Sequence, residues 1–220
     1  IQAAIASEII YIRADGSIDP STAPIQRSLD VYTFTDDISG SIVIEKDNIV
    51  VNGAGHTLQG TGSETGIDLS QRTNVTIQNM KIKTFDNALY ISSSNHVTIS
   101  TTTIADNSAA IWLSDSSNNS IQGNNITTNV LEGIYLLYSS DNSISGNNIT
   151  ANTFDGIYLS LSSNNSVSEN NIINNGWGVT SYYSSGNKIF HNNFIDNTNQ
   201  VSMYESYDTA WDNGCEGNYW

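Results

Sequence analysis

Apolar residues return along this chain every 22 to 24 positions, in three separate series. The first series runs Leu58, Ile82, Ile104, Ile126, Ile149, Ile172 and Phe194. The second runs Ile67, Leu89, Ile111, Ile134, Ile157, Val179 and Val201, and the third Ile77, Ile99, Ile121, Ile144, Val167 and Ile189. A unit this short cannot bury its own apolar face, so it must stack on its neighbours and the architecture is a solenoid. Within one unit, Asn142 to Asn164, the apolar residues fall in three bursts: Ile144, Ile149, and Ile157 with Leu159. Each burst alternates with polar residues, as a strand does, and Asn, Gly, Ser or Asp of turn type separates it from the next. The expected fold is all-β: one right-handed parallel β-helix of about seven coils, with three short strands per coil. A leucine-rich repeat of similar period is set aside. Its leucine template and its helical or 3₁₀ return path are both missing.

Polar residues also return in register. Asn107, Asn129, Asn152, Asn175 and Asn197 form one row, Asn119, Asn142, Asn165 and Asn187 a second, and Asn125, Asn148, Asn171 and Asn193 a third. Stacked asparagines can donate and accept along the axis and satisfy turn backbone that no sheet bond reaches, so their expected role is structural.

The segment Asp47-Asn48-Ile49-Val50-Val51-Asn52-Gly53-Ala54-Gly55-His56-Thr57-Leu58-Gln59-Gly60 is followed by Gly66-Ile67-Asp68-Leu69 and Asn74-Val75-Thr76-Ile77. Together they resemble the opening coils of NosD-like parallel β-helix proteins, also described as carbohydrate-binding and sugar-hydrolase β-helix domains and abundant as secreted archaeal proteins. Tyr11 to Pro20, Trp211 to Gly214 and Gly217 to Trp220 are similar to that group too. The resemblance spans almost the whole chain and implies fold and export. It does not imply an activity, because the family name comes from a copper-enzyme maturation factor and most members share only the repeat.

Composition narrows the partners. Seven basic against 22 acidic residues give a net charge of −15, which repels nucleic acid and anionic membrane surfaces. No apolar stretch approaches the ~20 residues needed to span a bilayer. Ile1 to Ser7 is similar to the tail of a secretory signal, with Ala4-Ile5-Ala6 matching the small-residue cleavage pattern, and a secreted or cell-surface location is expected. Five Asn-x-Ser/Thr sequons, at Asn74, Asn118, Asn125, Asn148 and Asn164, are N-glycosylation candidates consistent with that location. The single cysteine, Cys215, allows no intramolecular disulfide and is expected to be a buried thiol. Residues 1–40 hold both prolines and lack the repeat, so they are expected to cap a β-helix over 41–205; a Tyr-, Trp- and Gly-rich tail follows at 206–220. More chain is expected after Trp220.

Two constellations could carry chemistry. In Leu89-Tyr90-Ile91, Ile111-Trp112-Leu113, Ile134-Tyr135-Leu136 and Ile157-Tyr158-Leu159 the flanking residues point in, so the middle one points out. Tyr90, Trp112, Tyr135 and Tyr158 therefore form an outer aromatic row of the kind that sugar rings stack on and protein partners dock on. Just upstream, Glu132 and Asp155 occupy equivalent positions on adjacent coils, each before a glycine. Neighbouring coils would bring them to roughly the 5 Å used by retaining glycosidases, and like-charge repulsion would raise one pKa. Trp177 breaks the carboxylate row, however, and no basic side chain is near in sequence. The possible metal ligands His56, His96, His191, Met80, Met203 and Cys215 fall at different phases of the repeat, so no metal or other cofactor is expected.

Three functions follow from these features. The first is a noncatalytic surface protein that associates with copies of itself through Ile1 and Ile5 at one end and Trp211, Tyr219 and Trp220 at the other, since solenoid ends expose unpaired strand edges. The second is a module binding extracellular polysaccharide on the aromatic row. The third is a polysaccharide hydrolase or lyase using Glu132 and Asp155.

Overall fold

In the computed structural model, which describes residues 8–220, the chain winds as a right-handed all-β solenoid of about eight turns, with no helix among the described residues. Three parallel sheets run along its axis. The long face is built from strands such as Asn87–Ser92, Ala109–Ser114, Ile134–Leu137, Asp155–Ser160, Trp177–Tyr182 and Asn199–Tyr204. The second face comprises three- and four-residue strands such as Thr98–Ser100, Ser120–Gln122 and Lys188–Phe190, and the third comprises Lys81–Lys83, Thr103–Ala105, Asn125–Thr127 and their successors.

All three apolar series stack as the repeat requires. Leu58, Ile82, Ile104, Ile126, Ile149, Ile172 and Phe194 pair in sequence up the third face. The Ile77 series does the same on the second face and the Ile67 series on the long face. Nearly every member is sealed from water, and each buried aliphatic side chain contributes roughly 1.5–3 kcal/mol relative to exposure.

Corners are made by left-handed residues followed by an inward polar side chain. Gly123, Gly146, Glu169 and His191 all have positive φ, and Asn124, Asn147, Asn170 and Asn192, which follow them, are buried. Each of these asparagines ties three coils together. Asn147 Nδ2 donates to the Ile121 carbonyl (2.9 Å) on the coil before and to Asn170 Oδ1 (2.9 Å) on the coil after, while its own Oδ1 accepts the Asn124 backbone N–H (3.0 Å). The rows through Asn107 and Asn119 work the same way, as expected. The third expected row also stacks, with Asn148 Nδ2 donating to Asn125 Oδ1 and Asn193 Nδ2 to Asn171 Oδ1, but the turn backbone is served by the row one position earlier. Asn125, Asn148, Asn171 and Asn193 open the third-face strands and point outward. In an Asn-Asn pair only the residue behind the left-handed corner turns inward. A serine row, Ser94, Ser116, Ser139, Ser162 and Ser184, was missed; it serves the corner between the long and second faces, where Ser116 N–H donates to Ser139 Oγ (3.0 Å).

Both ends are closed by the chain itself. Glu8–Ile12 pairs in parallel with Ile38–Ile44 and carries the antiparallel strand Ile18–Asp19 at its edge, while Ile25–Ser28 folds back on Val31–Phe34. At the other end the tail forms bridges from Ala210 to Lys188 and from Tyr219 to Asn193, and Asn218 Oδ1 extends the asparagine ladder by accepting the Asn192 N–H (3.0 Å).

Candidate functional site

Along the long-face strands an outward residue stands between two inward ones. Tyr90, Trp112, Tyr135 and Tyr158 pair in register up that face, as the alternation requires. Their rings contact one another: Tyr90 meets Trp112 edge-on at 6.4 Å, Trp112 lies tilted at 5.0 Å from Tyr135, and Tyr135 stacks on Tyr158 at 5.1 Å and 12°. This mutual packing leaves each half-buried. Burial pushes the Tyr135 and Tyr158 phenols above their ordinary pKa, with Glu132 adding to both and Asp155 to Tyr158. Trp112 Nε1 is buried without a hydrogen-bond partner.

Two coils carry one residue more than their neighbours, and both insertions fall at the same corner beside this row. Four positions separate Asn107 from Ile111 and Asn175 from Val179, but five separate Asn129 from Ile134 and Asn152 from Ile157. The extra residue brings Glu132 and Asp155 to the upstream edge of the long face. It also pushes Val130 (58% exposed), Leu131 (36%) and Phe154 (44%) outward; Trp177 (37%), the register partner of Asp155, adds an exposed ring on the next coil. Backbone bonds hold this ridge in step: Leu131 N–H donates to the Ser108 carbonyl (2.7 Å) and Trp177 N–H to that of Phe154 (3.1 Å). Phe154 lies four residues before Tyr158, so ridge and aromatic row stand about 13 Å apart at strand rise, with the two acids between them. Sequence reasoning missed the ridge, although the change of period from 22 to 23 marks it. Gly133 and Gly156 stack there because a Cβ on Gly133 would come within 2.7 Å of the Gly156 carbonyl oxygen.

The two acids are unlike. Asp155 is 8% exposed and accepts a short hydrogen bond from Thr180 Oγ1, whereas Glu132 is only half-buried. Burial raises the Asp155 pKa to about 6, partly offset by the Thr180 bond, with Glu132 adding to the rise. Loss of solvent is the main cause, and the like-charge repulsion expected from the spacing is the smallest. Beyond Thr180 the aromatic surface resumes two residues further along the strand: Tyr182 stacks on Tyr204 at 5.2 Å, and Tyr183 meets both edge-on.

The other candidates are dispersed. Ile1 and Ile5 lie outside the described residues. Trp211 packs against the core and Trp220 stacks on Phe194 at 4.8 Å, while Trp220 and Tyr219 remain 58% and 67% exposed. Sequons Asn74, Asn118 and Asn164 occupy exposed left-handed corners; Asn125 and Asn148 lie in third-face strands, with Asn148 Nδ2 donating to Asn125 Oδ1 (2.9 Å). Cys215 is exposed, not buried as expected, because the closing turn holding it lies outside the last full coil. His56 faces Asp37, His96 turns to Asn95 at a corner, and His191 lies by Glu216 and Asn213. Met80 is in the core. No group of three His, Cys, Asp or Glu converges among the described residues, and this donor set does not fit a copper ion.

Comparison with solved structures gives relatives of the same fold. A double mutant of the periplasmic alginate epimerase AlgG matches with a TM-score of 0.70 and 21% identity over 81% of this chain and 48% of that one. The enzymatically active domain of bacteriophage CBA120 tailspike protein 2 matches at 0.63 and 14% (80% and 34% covered), and lid-less DFA-IIIase from Arthrobacter chlorophenolicus A6 at 0.57 and 18% (78% and 43%). The chain thus spans half or less of the length of these relatives. No curated protein sequence matches it. The model of the family described as periplasmic copper-binding protein (NosD) matches residues 25–220, and the chain belongs to that family.

Proposed function

We propose that this protein is a noncatalytic, extracytoplasmic glycan-binding solenoid that lays a polysaccharide chain along the long face. The observation that carries this reading is the outward row Tyr90, Trp112, Tyr135 and Tyr158 beside the ridge formed by the two inserted residues. Coils repeat every ~4.8 Å, so the row offers a regular rank of ring faces and edges to the apolar faces of successive sugars. Structural relatives described as an alginate epimerase and as DFA-IIIase support a carbohydrate ligand, and the family's periplasmic description supports a place outside the cytoplasm. Cleavage by Glu132 and Asp155 has less support, since the more reactive carboxyl is engaged by Thr180 and no basic side chain of the long face stands by. Self-association through the ends has less support, because Trp211 packs on the core and Trp220 lays one face on Phe194.

The test is affinity electrophoresis of the protein and its Trp112→Ala/Tyr135→Ala variant through gels containing neutral, cationic or anionic polysaccharide. At roughly 0.5–1.5 kcal/mol per lost stacking contact, the variant should bind roughly 5- to 150-fold more weakly, with an unchanged β-sheet circular dichroism spectrum. Equal retardation of both proteins refutes the row as the binding surface.

A further inference from the structure

The long face differs from the rest of the molecule in its charge. Beyond Lys83 the sequence contains a single basic side chain, Lys188, and its strand belongs to the second face. Lys81 and Lys83 lie on the third face. The remaining cations are near the N-terminal end and engaged: Arg13 with Asp19 and Glu45 and over the Tyr11 ring, Arg27 with the Gly16 and Leu29 carbonyls, Lys46 with Asp30, and Arg72 with Asp47 and the Glu45 carbonyl. Acids, by contrast, border the aromatic row. Asp68 pairs with Tyr90 at its start, Glu132 and Asp155 flank Tyr135 and Tyr158, and Glu205 follows Tyr204 at the far end of the aromatic surface.

Carboxylate, sulfate and phosphate groups on a polymer are held by Arg and Lys, whose donors match the anion and offset its loss of water. A surface that offers none, on a chain of net charge −15, places a polyanion against unopposed acids. Resting on the glycan-binding reading above, we infer that the segment of glycan held on the long face carries no anionic group, which separates this protein from any ligand resembling alginate. Stacking on rings does not need a charged sugar. It needs the apolar faces of the sugar rings, which a neutral polymer presents without repulsion.

The experiment compares retardation of the intact protein in gels containing a neutral glucomannan, alginate or a cationic chitosan, each at low and at high salt. Retardation by glucomannan that is insensitive to salt, with none by alginate at either salt, is the expected result. Alginate retarding the protein as strongly as glucomannan would overturn the inference while leaving the glycan-binding reading intact. Absence of retardation by glucomannan, alginate and a cationic chitosan alike would overturn that reading, and the inference with it.

Discussion

Asp155→Asn is the perturbation whose effect follows most directly from the structure. Asp155 is 8% exposed, and its pKa is raised from 3.8 to about 6. The unfolded chain therefore ionises this group in a pH range where the folded protein still holds it neutral. Between about pH 4 and pH 6 the native state binds the extra proton, so the stability this group contributes, fully present below pH 3.8, is lost as pH rises through about 6. The pKa difference corresponds to at most about 3 kcal/mol, and residual solvent contact together with the Thr180 bond brings the working figure to about 1–3 kcal/mol. Asparagine keeps an oxygen for Thr180 and cannot ionise. The variant should therefore gain on the parent by about 1–3 kcal/mol between pH 4 and pH 7.5, or roughly 2–10 °C in Tm for a chain of this size. Guanidinium unfolding of both proteins at the two pH values measures this directly, and taking the difference removes every other titrating group. A stability difference that is the same at both pH values, or one that moves toward the parent as pH rises, would refute the reasoning.

Two further outcomes follow from the packing. Asn147→Ala removes the partner of both the Ile121 carbonyl and the Asn124 N–H, so it should cost about 2–4 kcal/mol in guanidinium unfolding, whereas Asn148→Ala, one residue on and facing outward, should cost under ~0.5 kcal/mol. Trp220→Ala uncovers Phe194 and should cost about 1–2 kcal/mol; amide exchange should speed up at Phe194 and His191, which bond to the tail carbonyls of Tyr219 and Gly217, and stay unchanged at Ile126.

The sequence by itself determined the solenoid, the three faces and the direction of the aromatic row. Those depend on two periods that every coil repeats, two residues along a strand and about 22 around a turn, and a repeated signal survives any single deviation. It also located the asparagine rows through Asn107 and Asn119, whose members each follow a left-handed corner residue such as Asp106, Asn118 or Asn164. At the Asn124-Asn125 pair the same logic failed by one residue, since phase is set by which backbone turns left-handed, and Gly123 decides that only once the corner has formed.

What only the tertiary structure decided concerns neighbours from different coils. Glu132 and Asp155 look alike in sequence, yet Asp155 loses water and gains Thr180 from the coil after it, while Glu132 does not. The single-residue insertions are visible as a change of period, but the ridge of Val130, Leu131 and Phe154 exists because two such insertions stack. Trp220, expected at a docking surface, stacks one face on Phe194 and meets Trp211 while staying 58% exposed, a division of its surface that the chain alone does not show. Burial and pKa are sums over whatever surrounds a group, and in a solenoid most of those surroundings are about 22 residues away in the chain.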